Sequence, residues 1–336
     1  MRFSLELVPK DPLWKLEIIG FMAENAGVDG LWLSEHPDNR SSILTACHLL
    51  KTFPRLWIGI GVLNPYIFHP LTIVQVAATL SEIAPRRVYI GVGAGDRTAL
   101  EKAGVRRVHP LKRVERCVKI VREILEKGFY GDGEISMRLN FRPRSMVPIY
   151  IGAQGRRMLR LAGRIGDGVL VNHTNPELLE SAANEVRIGA NEANRRLEEI
   201  DLAAYLTISI GEDESKALKA AAPYSAYIIC GAGGEFIERL GIDPRIVEEV
   251  RRLLRVGDWV RLYQVLPPDY IKATTFIGGV DELRELVARL LKLGYTQIVF
   301  GGPFGPKVLE ALRMIGEVVK YFEEDINRER LLYDLG

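Results

Sequence analysis

Pro148–Gly168, PIYIGAQGRRMLRLAGRIGDG, is the stretch whose reading decides how this chain folds. It opens on a short apolar run, Ile149-Tyr150-Ile151. It turns through Gly152-Ala153-Gln154-Gly155 and enters a segment whose apolar positions Met158, Leu159, Ala162 and Ile165 recur at helical spacing. A second apolar run starts at Gly168. Strand, tight turn, helix and next strand make the repeating unit of a parallel sheet. A glycine turn ahead of a helix also lets backbone N–H groups reach an anion, which the helix dipole favours. Arg156 and Arg157 in the first helical turn oppose that dipole unless a negative partner is present. The same pattern is that of a tight turn with two solvated arginines, and the local residues leave both readings open.

Outward from this stretch the unit repeats. Apolar runs at Phe3–Val8, Gly30–Glu35, Trp57–Val62, Val88–Val92, Ile149–Gly152, Gly168–Asn172, Ala203–Ile210 and Gln297–Gly301 read as strands. Helical periodicity lies between most of them: Leu13–Ala26, Ser42–Thr52, Leu71–Ile83, Leu111–Glu126, Arg156–Ile165, Pro176–Arg196 and Asp213–Ala222. Asp281–Leu293 precedes the last strand and Pro306–Phe322 follows it. Eight strands alternating with helices predict a parallel sheet, and eight is the number that closes a (β/α)8 TIM barrel of ~250 residues plus insertions. Residues 130–146 read as a hairpin or extended excursion, and about 224–276 as a helical insertion broken at Pro267-Pro268. No interdomain linker is evident, so residues 1–336 are expected to form one barrel domain.

Composition narrows the class. A hydrophobic content of 47% is ample for a full core, and a net charge of +2 gives no sign of nucleic-acid binding. No run of ~18 apolar residues suggests a membrane span, and the N-terminus does not read as a signal peptide. Cys47, Cys117 and Cys230 and the five histidines are scattered, so a reduced, cytoplasmic protein without a metal site is expected.

In such barrels chemistry sits at the C-terminal strand ends. Those ends carry Glu6, Ser34-Glu35-His36, Gly61-Val62-Leu63-Asn64, Gly93-Ala94-Gly95-Asp96, the GAQG turn, Asn172-His173-Thr174-Asn175 and Gly301-Gly302-Pro303. Glu6 interrupts an apolar strand. A buried carboxylate there is either paired with an arginine or raised in pKa towards a useful general acid. Glu35-His36 reads as a pocket edge or a surface loop, and Asp96 as an acid or a helix N-cap. GVGAGD lacks the third glycine and following helix of a dinucleotide fingerprint. His48, His69 and His109, with Trp14, Trp32 and Trp57, read as structural.

These motifs together carry a resemblance. ELVP, GV-NPY, GAGD, PIYIGAQG-RML, AGRIGDG, NHTNP, DLAAY and GGPFGP, in this order over nearly the whole chain, resemble the bacterial-luciferase-like superfamily. Within it they are similar to the archaeal coenzyme F420-dependent methylenetetrahydromethanopterin reductases. The resemblance implies a barrel with insertions that forms a homodimer or homotetramer. It implies F420 at the C-terminal mouth, its phosphate on Gly152, Ala153, Gln154, Gly155 and Arg156. A bulge with a non-prolyl cis peptide is implied at Gly61-Val62, and Glu35, His36, Leu63, Asn64, Gly93 and Gly95 are expected beside the ring. The implied reaction passes hydride from reduced F420 to the one-carbon unit of a tetrahydromethanopterin-type substrate. By position Glu6 is the expected proton donor and Asp96 a second acid nearby.

This chain departs from the family pattern at Glu35, Leu63, Ala94 and Arg156, where Asp, Thr, Pro and Pro are usual. Three alternatives follow: an F420-dependent alcohol or sugar-phosphate dehydrogenase, an FMN-dependent monooxygenase, and a coenzyme-binding barrel without catalysis.

Overall fold

The computed structural model describes residues 1–333. Its strands are β1 (Arg2–Leu7), β2 (Gly30–Leu33), β3 (Trp57–Leu63), β4 (Val88–Gly93), β5 (Phe129–Gly131), β6 (Ser136–Arg138), β7 (Ile149–Ala153), β8 (Gly168–Val171), β9 (Asp201–Ile210), β10 (Phe276–Gly278) and β11 (Gln297–Phe304). The helices are α1 (Leu13–Asn25), α2 (Ser42–Thr52), α3 (Pro70–Ile83), α4 (Arg97–Lys102), α5 (Pro110–Lys127), α6 (Arg156–Ile165) and α7 (Pro176–Glu192). They continue with α8 (Glu214–Gly231), α9 (Gly234–Arg239), α10 (Pro244–Val256), α11 (Trp259–Val265), α12 (Pro268–Thr274), α13 (Val280–Lys292) and α14 (Val308–Tyr333).

The parallel order β9-β11-β1-β2-β3-β4-β7-β8 closes through β8 on β9, so the chain is a (β/α)8 barrel. The excursion at 130–146 contains the hairpin β5–β6. β10 was not expected. β9 is long enough to pair β8 along Asp201–Ala204 and then β10 along Ile208–Ile210. The helix expected to stop at Ala222 runs through Pro223 to Gly231. Its continuation is held by packing: Ala226 and Ile229 are buried with Val250, Leu253 and Ile271 in a separate apolar cluster. Tertiary burial here outweighs the local cost of proline.

Side chains alternate along each strand. Leu5, Leu31, Ile58, Ile60 and Ile90 point outward into the layer shared with the helices. Trp32, Trp57, Tyr150, Leu170, Ala203, Tyr205 and Val299 fill the interior. Large rings fit because facing positions are glycine: a Cβ at Gly30, Gly59 or Gly168 would run into the rings of Trp57, Trp32 and Tyr150 respectively. At the floor Arg2 pairs with Asp201 and donates to the hydroxyls of Tyr89 (3.0 Å) and Tyr150 (2.9 Å). The N-terminal end is thereby plugged, and the open end is the C-terminal one.

Candidate active site

At that open end lies a cavity of about 980 Å³, large enough for a cofactor and a substrate together. Its wall contains Glu6, Glu35, His36, Gly61, Val62, Asn64, Gly93, Gly95, Asp96, Gly152, Ala153, Gln154, Gly155 and Arg156. Leu63 is the exception among the expected residues and is a correction. It is fully buried in the outer apolar layer. The cause is a bulge: Ile60 pairs Ile90 while Leu63 pairs Val92, so three steps on β3 match two on β4. One extra residue reverses the alternation, sending Val62 inward and Leu63 outward. The Gly61–Val62 peptide is cis. Gly93 and Gly152 close on Val62, and a Cβ on either would lie 2.7 or 2.8 Å from its methyl carbons.

Glu6 lies one residue before the end of β1, with Ser34 just beyond the end of β2. The Ser34 hydroxyl donates to Glu6 Oε1 and lies 3.4 Å from the Tyr205 hydroxyl of β9. Burial pushes the Glu6 carboxyl above its ordinary range, against the opposing Ser34 hydrogen bond and the nearby His36, Tyr205 and Lys10 side chains. Burial, then the Glu6 charge, push the Tyr205 phenol well up. No arginine pairs with Glu6 among the described residues.

The other two acids are engaged elsewhere. Asp96 is the N-cap of α4, its Oδ1 accepting from the Ala99 N–H at 2.6 Å. A carboxylate used this way is an acceptor stabilised by the helix dipole. Glu35 accepts from the Ser42 N–H at 3.1 Å and from the Ser42 hydroxyl, at the start of α2. Asn64 Oδ1 accepts from the N–H groups of Tyr66 (3.3 Å) and Ile67 (3.0 Å), shaping the turn after β3.

The turn after β7 leads into α6, whose N-cap, Gly155, supplies no side-chain cap. A Cβ at Gly155 would meet nothing within 4 Å, and no side chain caps the first turn, whose N–H groups are left for an outside acceptor. Arg156 pairs with buried Glu185 at 2.9 Å, and Arg160 holds the same carboxylate at 2.6 Å. Exposed Arg157, also on the cavity wall, makes no ion pair among the described residues. The turn therefore fits an anionic group such as a coenzyme phosphate, with Arg157 as the available cation.

Sequence reasoning named Ser34, Arg157 and, within DLAAY, Tyr205 without giving them a site role, and passed over Arg107 and the Tyr227 and Phe236 wall. For Tyr205 a signal existed, since it shares the inward phase of β9 with Ala203. Tyr227 and Phe236 come from α8 and α9, and no local pattern places them. Trp14, expected to be structural, is 62% exposed on α1. His69 caps α3 through Nδ1. His109 takes a left-handed backbone before α5. Among the described residues no group of three or more His, Cys, Asp or Glu could hold a metal ion, and no helix is long and apolar enough to cross a membrane.

The luciferase-like monooxygenase family model matches residues 18–297. The 5,10-methylenetetrahydromethanopterin reductase of Archaeoglobus fulgidus is 36% identical over 95% of this chain and 98% of its own. The solved structure of the coenzyme F420-dependent tetrahydromethanopterin reductase from Methanopyrus kandleri matches with a TM-score of 0.86 at 32% identity, covering 96% of this chain and 99% of that one. An F420-dependent glucose-6-phosphate dehydrogenase of Microbacterium testaceum is 29% identical over 89% of this chain and 90% of its own.

Proposed function

We infer that this chain, which belongs to the luciferase-like family and within it to the 5,10-methylenetetrahydromethanopterin reductases, reduces 5,10-methylenetetrahydromethanopterin to the 5-methyl form with reduced coenzyme F420, reversibly. The observation that carries the reading is a carboxyl raised by burial, Glu6, in the same cavity as an uncapped helix start with a free arginine. When bound, the coenzyme supplies a hydride. The protein's part is to hold two ring systems in line and to supply a proton.

Gly152, Ala153, Gln154 and Gly155, with the α6 N–H groups and Arg157, would hold the phosphate. Arg156 contributes less, because Glu185 already engages it. The Gly61-Val62 bulge, backed by Gly93 and Gly152, offers the ring a smooth wall, with Glu35, His36, Asn64 and Gly95 around it. Glu6 keeps a proton at its carboxyl and passes it to a ring nitrogen of the substrate as the methylene bridge opens. Asp96, committed to its cap, is the weaker acid candidate.

Mixing reduced F420 with the methylene pterin tests the reading. Enzyme-dependent oxidation of the coenzyme is expected, and Glu6→Gln should lower kcat about 10²–10⁴-fold, the usual worth of a positioned acid. Oxidation no faster than background would sink the reductase reading. Turnover with an alcohol or glucose 6-phosphate instead would move the chain to a dehydrogenase, and tight FMN binding without F420 binding would overturn the coenzyme assignment. The three cysteines are free, which supports a cytoplasmic location. A homodimer or homotetramer is supported by the apolar residues that α1 and α2 leave exposed, Trp14, Ile18, Phe21 and Leu44.

A further inference from the structure

We propose that Ser34 and Tyr205 are positioning residues for the Glu6 carboxyl, the Ser34 hydroxyl holding Oε1 and the Tyr205 hydroxyl backing Ser34, while Oε2 lies against the face of Gly301 that lacks a side chain. The inference rests on Glu6 as the proton donor. Four separate strands or strand ends converge on the one carboxyl: β1 bears Glu6, β2 leads into Ser34, β9 bears Tyr205 and β11 bears Gly301.

Ser34 and Tyr205 are 6% and 8% exposed, at the deep end of the cavity. A buried hydroxyl is costly unless partnered. Among the described residues the Tyr205 hydroxyl has its hydrogen-bond partner in Ser34, at 3.4 Å. The ring of Tyr205 packs with Trp32, Leu170 and Val299, contacts a phenylalanine would make equally well. The hydroxyl is therefore not there for packing. From the other side, a Cβ at position 301 would lie 2.5 Å from Glu6 Oε2. Glycine at that position is what gives the carboxyl its space.

The consequence is control of the proton. The groups that face Glu6 are Ser34 and Tyr205, the side chains of Lys10 and His36, and the backbone of Gly301. Once Glu6 has released its proton, the Ser34 hydroxyl donates to the carboxylate and the Tyr205 hydroxyl to Ser34, and the chain stabilises the charge. Removing a donor destabilises the charged form, so the proton is held to higher pH but at a less well-fixed oxygen.

The test compares wild type with Tyr205→Phe and Ser34→Ala. The Glu6 carboxyl is titrated by infrared difference spectroscopy of protein labelled with ¹³C-glutamate, and Glu6→Gln identifies its band. In both variants the midpoint should move to higher pH, with the alkaline limb of kcat following it. Peak kcat should fall about tenfold with KM nearly unchanged, and Ser34→Thr, which keeps the hydroxyl, should recover most of it. Thermal unfolding confirms that the variants are folded. A midpoint and a pH limb that coincide with wild type in both variants would overturn the proposal. If Glu6→Gln retains full turnover while Tyr205→Phe still moves the midpoint, the positioning stands and the proton-donor reading falls.

Discussion

The buried Glu6 carboxyl couples stability to pH. Its pKa is raised by burial, so between the ordinary carboxylate range and the folded midpoint the native state keeps a proton that the unfolded chain has lost. The native state binds more protons there, so stability is complete at low pH and declines as pH rises through the folded midpoint. Glu6→Gln has no charge to bury. Its thermal midpoint should match wild type near pH 4 and exceed it at pH 8, in a scan of Tm against pH. A variant less stable than wild type at pH 8 would show that the carboxylate is compensated in a way the neighbouring groups do not account for. Leu63 teaches the complementary lesson. Its neighbours Val62 and Asn64 both reach the cavity, yet a bulge upstream sends it the other way.

In the proposed coenzyme site the deciding element is the start of α6. Gly155 leaves its N–H groups uncapped, and two consecutive arginines follow. They are not equivalent, because Arg156 is bound to Glu185 and Arg157 is not. Arg157→Gln should weaken F420 binding about tenfold, the worth of one hydrogen bond to a charged group. Arg156→Gln should weaken it less than about threefold. Quenching of tryptophan fluorescence on titration with the coenzyme measures both. Equal losses would mean that Arg156 leaves Glu185 when the phosphate arrives. The close crossing of α6 on α7 sets where this helix start lies: a Cβ at Gly163 or Gly189 would collide with the backbone of the other helix.

At the scale of the molecule, the barrel interior is graded from a plugged floor to a glycine-lined mouth. Arg2, Asp201 and the tyrosines close one end. The helices α8 to α12, with a core of their own, stand over the other and add Tyr227 and Phe236 to the cavity wall. Outside, α1 presents Trp14, Ile18 and Phe21 at helical spacing, with Leu44 exposed on α2. Light scattering on purified protein should report a dimer or tetramer, and Phe21→Glu should shift it to a monomer with the secondary structure retained. A monomeric wild type at micromolar concentration would remove the assembly from the reading.

The strands, most helices and the order of the polar strand ends were legible in the residues, because alternation and 3.6-residue periodicity are local consequences of burial. The same residues made Glu6 suspect, since a carboxylate in an apolar run demands an explanation. What they could not show was which partners each polar group would take. Whether Glu185 takes Arg156 or Arg157, and which way Leu63 points, were decided by packing between elements far apart in the chain. So was the pairing of Ser34 and Tyr205 with Glu6, residues separated by 28 and 171 positions in the links Glu6–Ser34 and Ser34–Tyr205. A pattern reports which side of an element is buried. Only closure of the barrel determines what is buried against it.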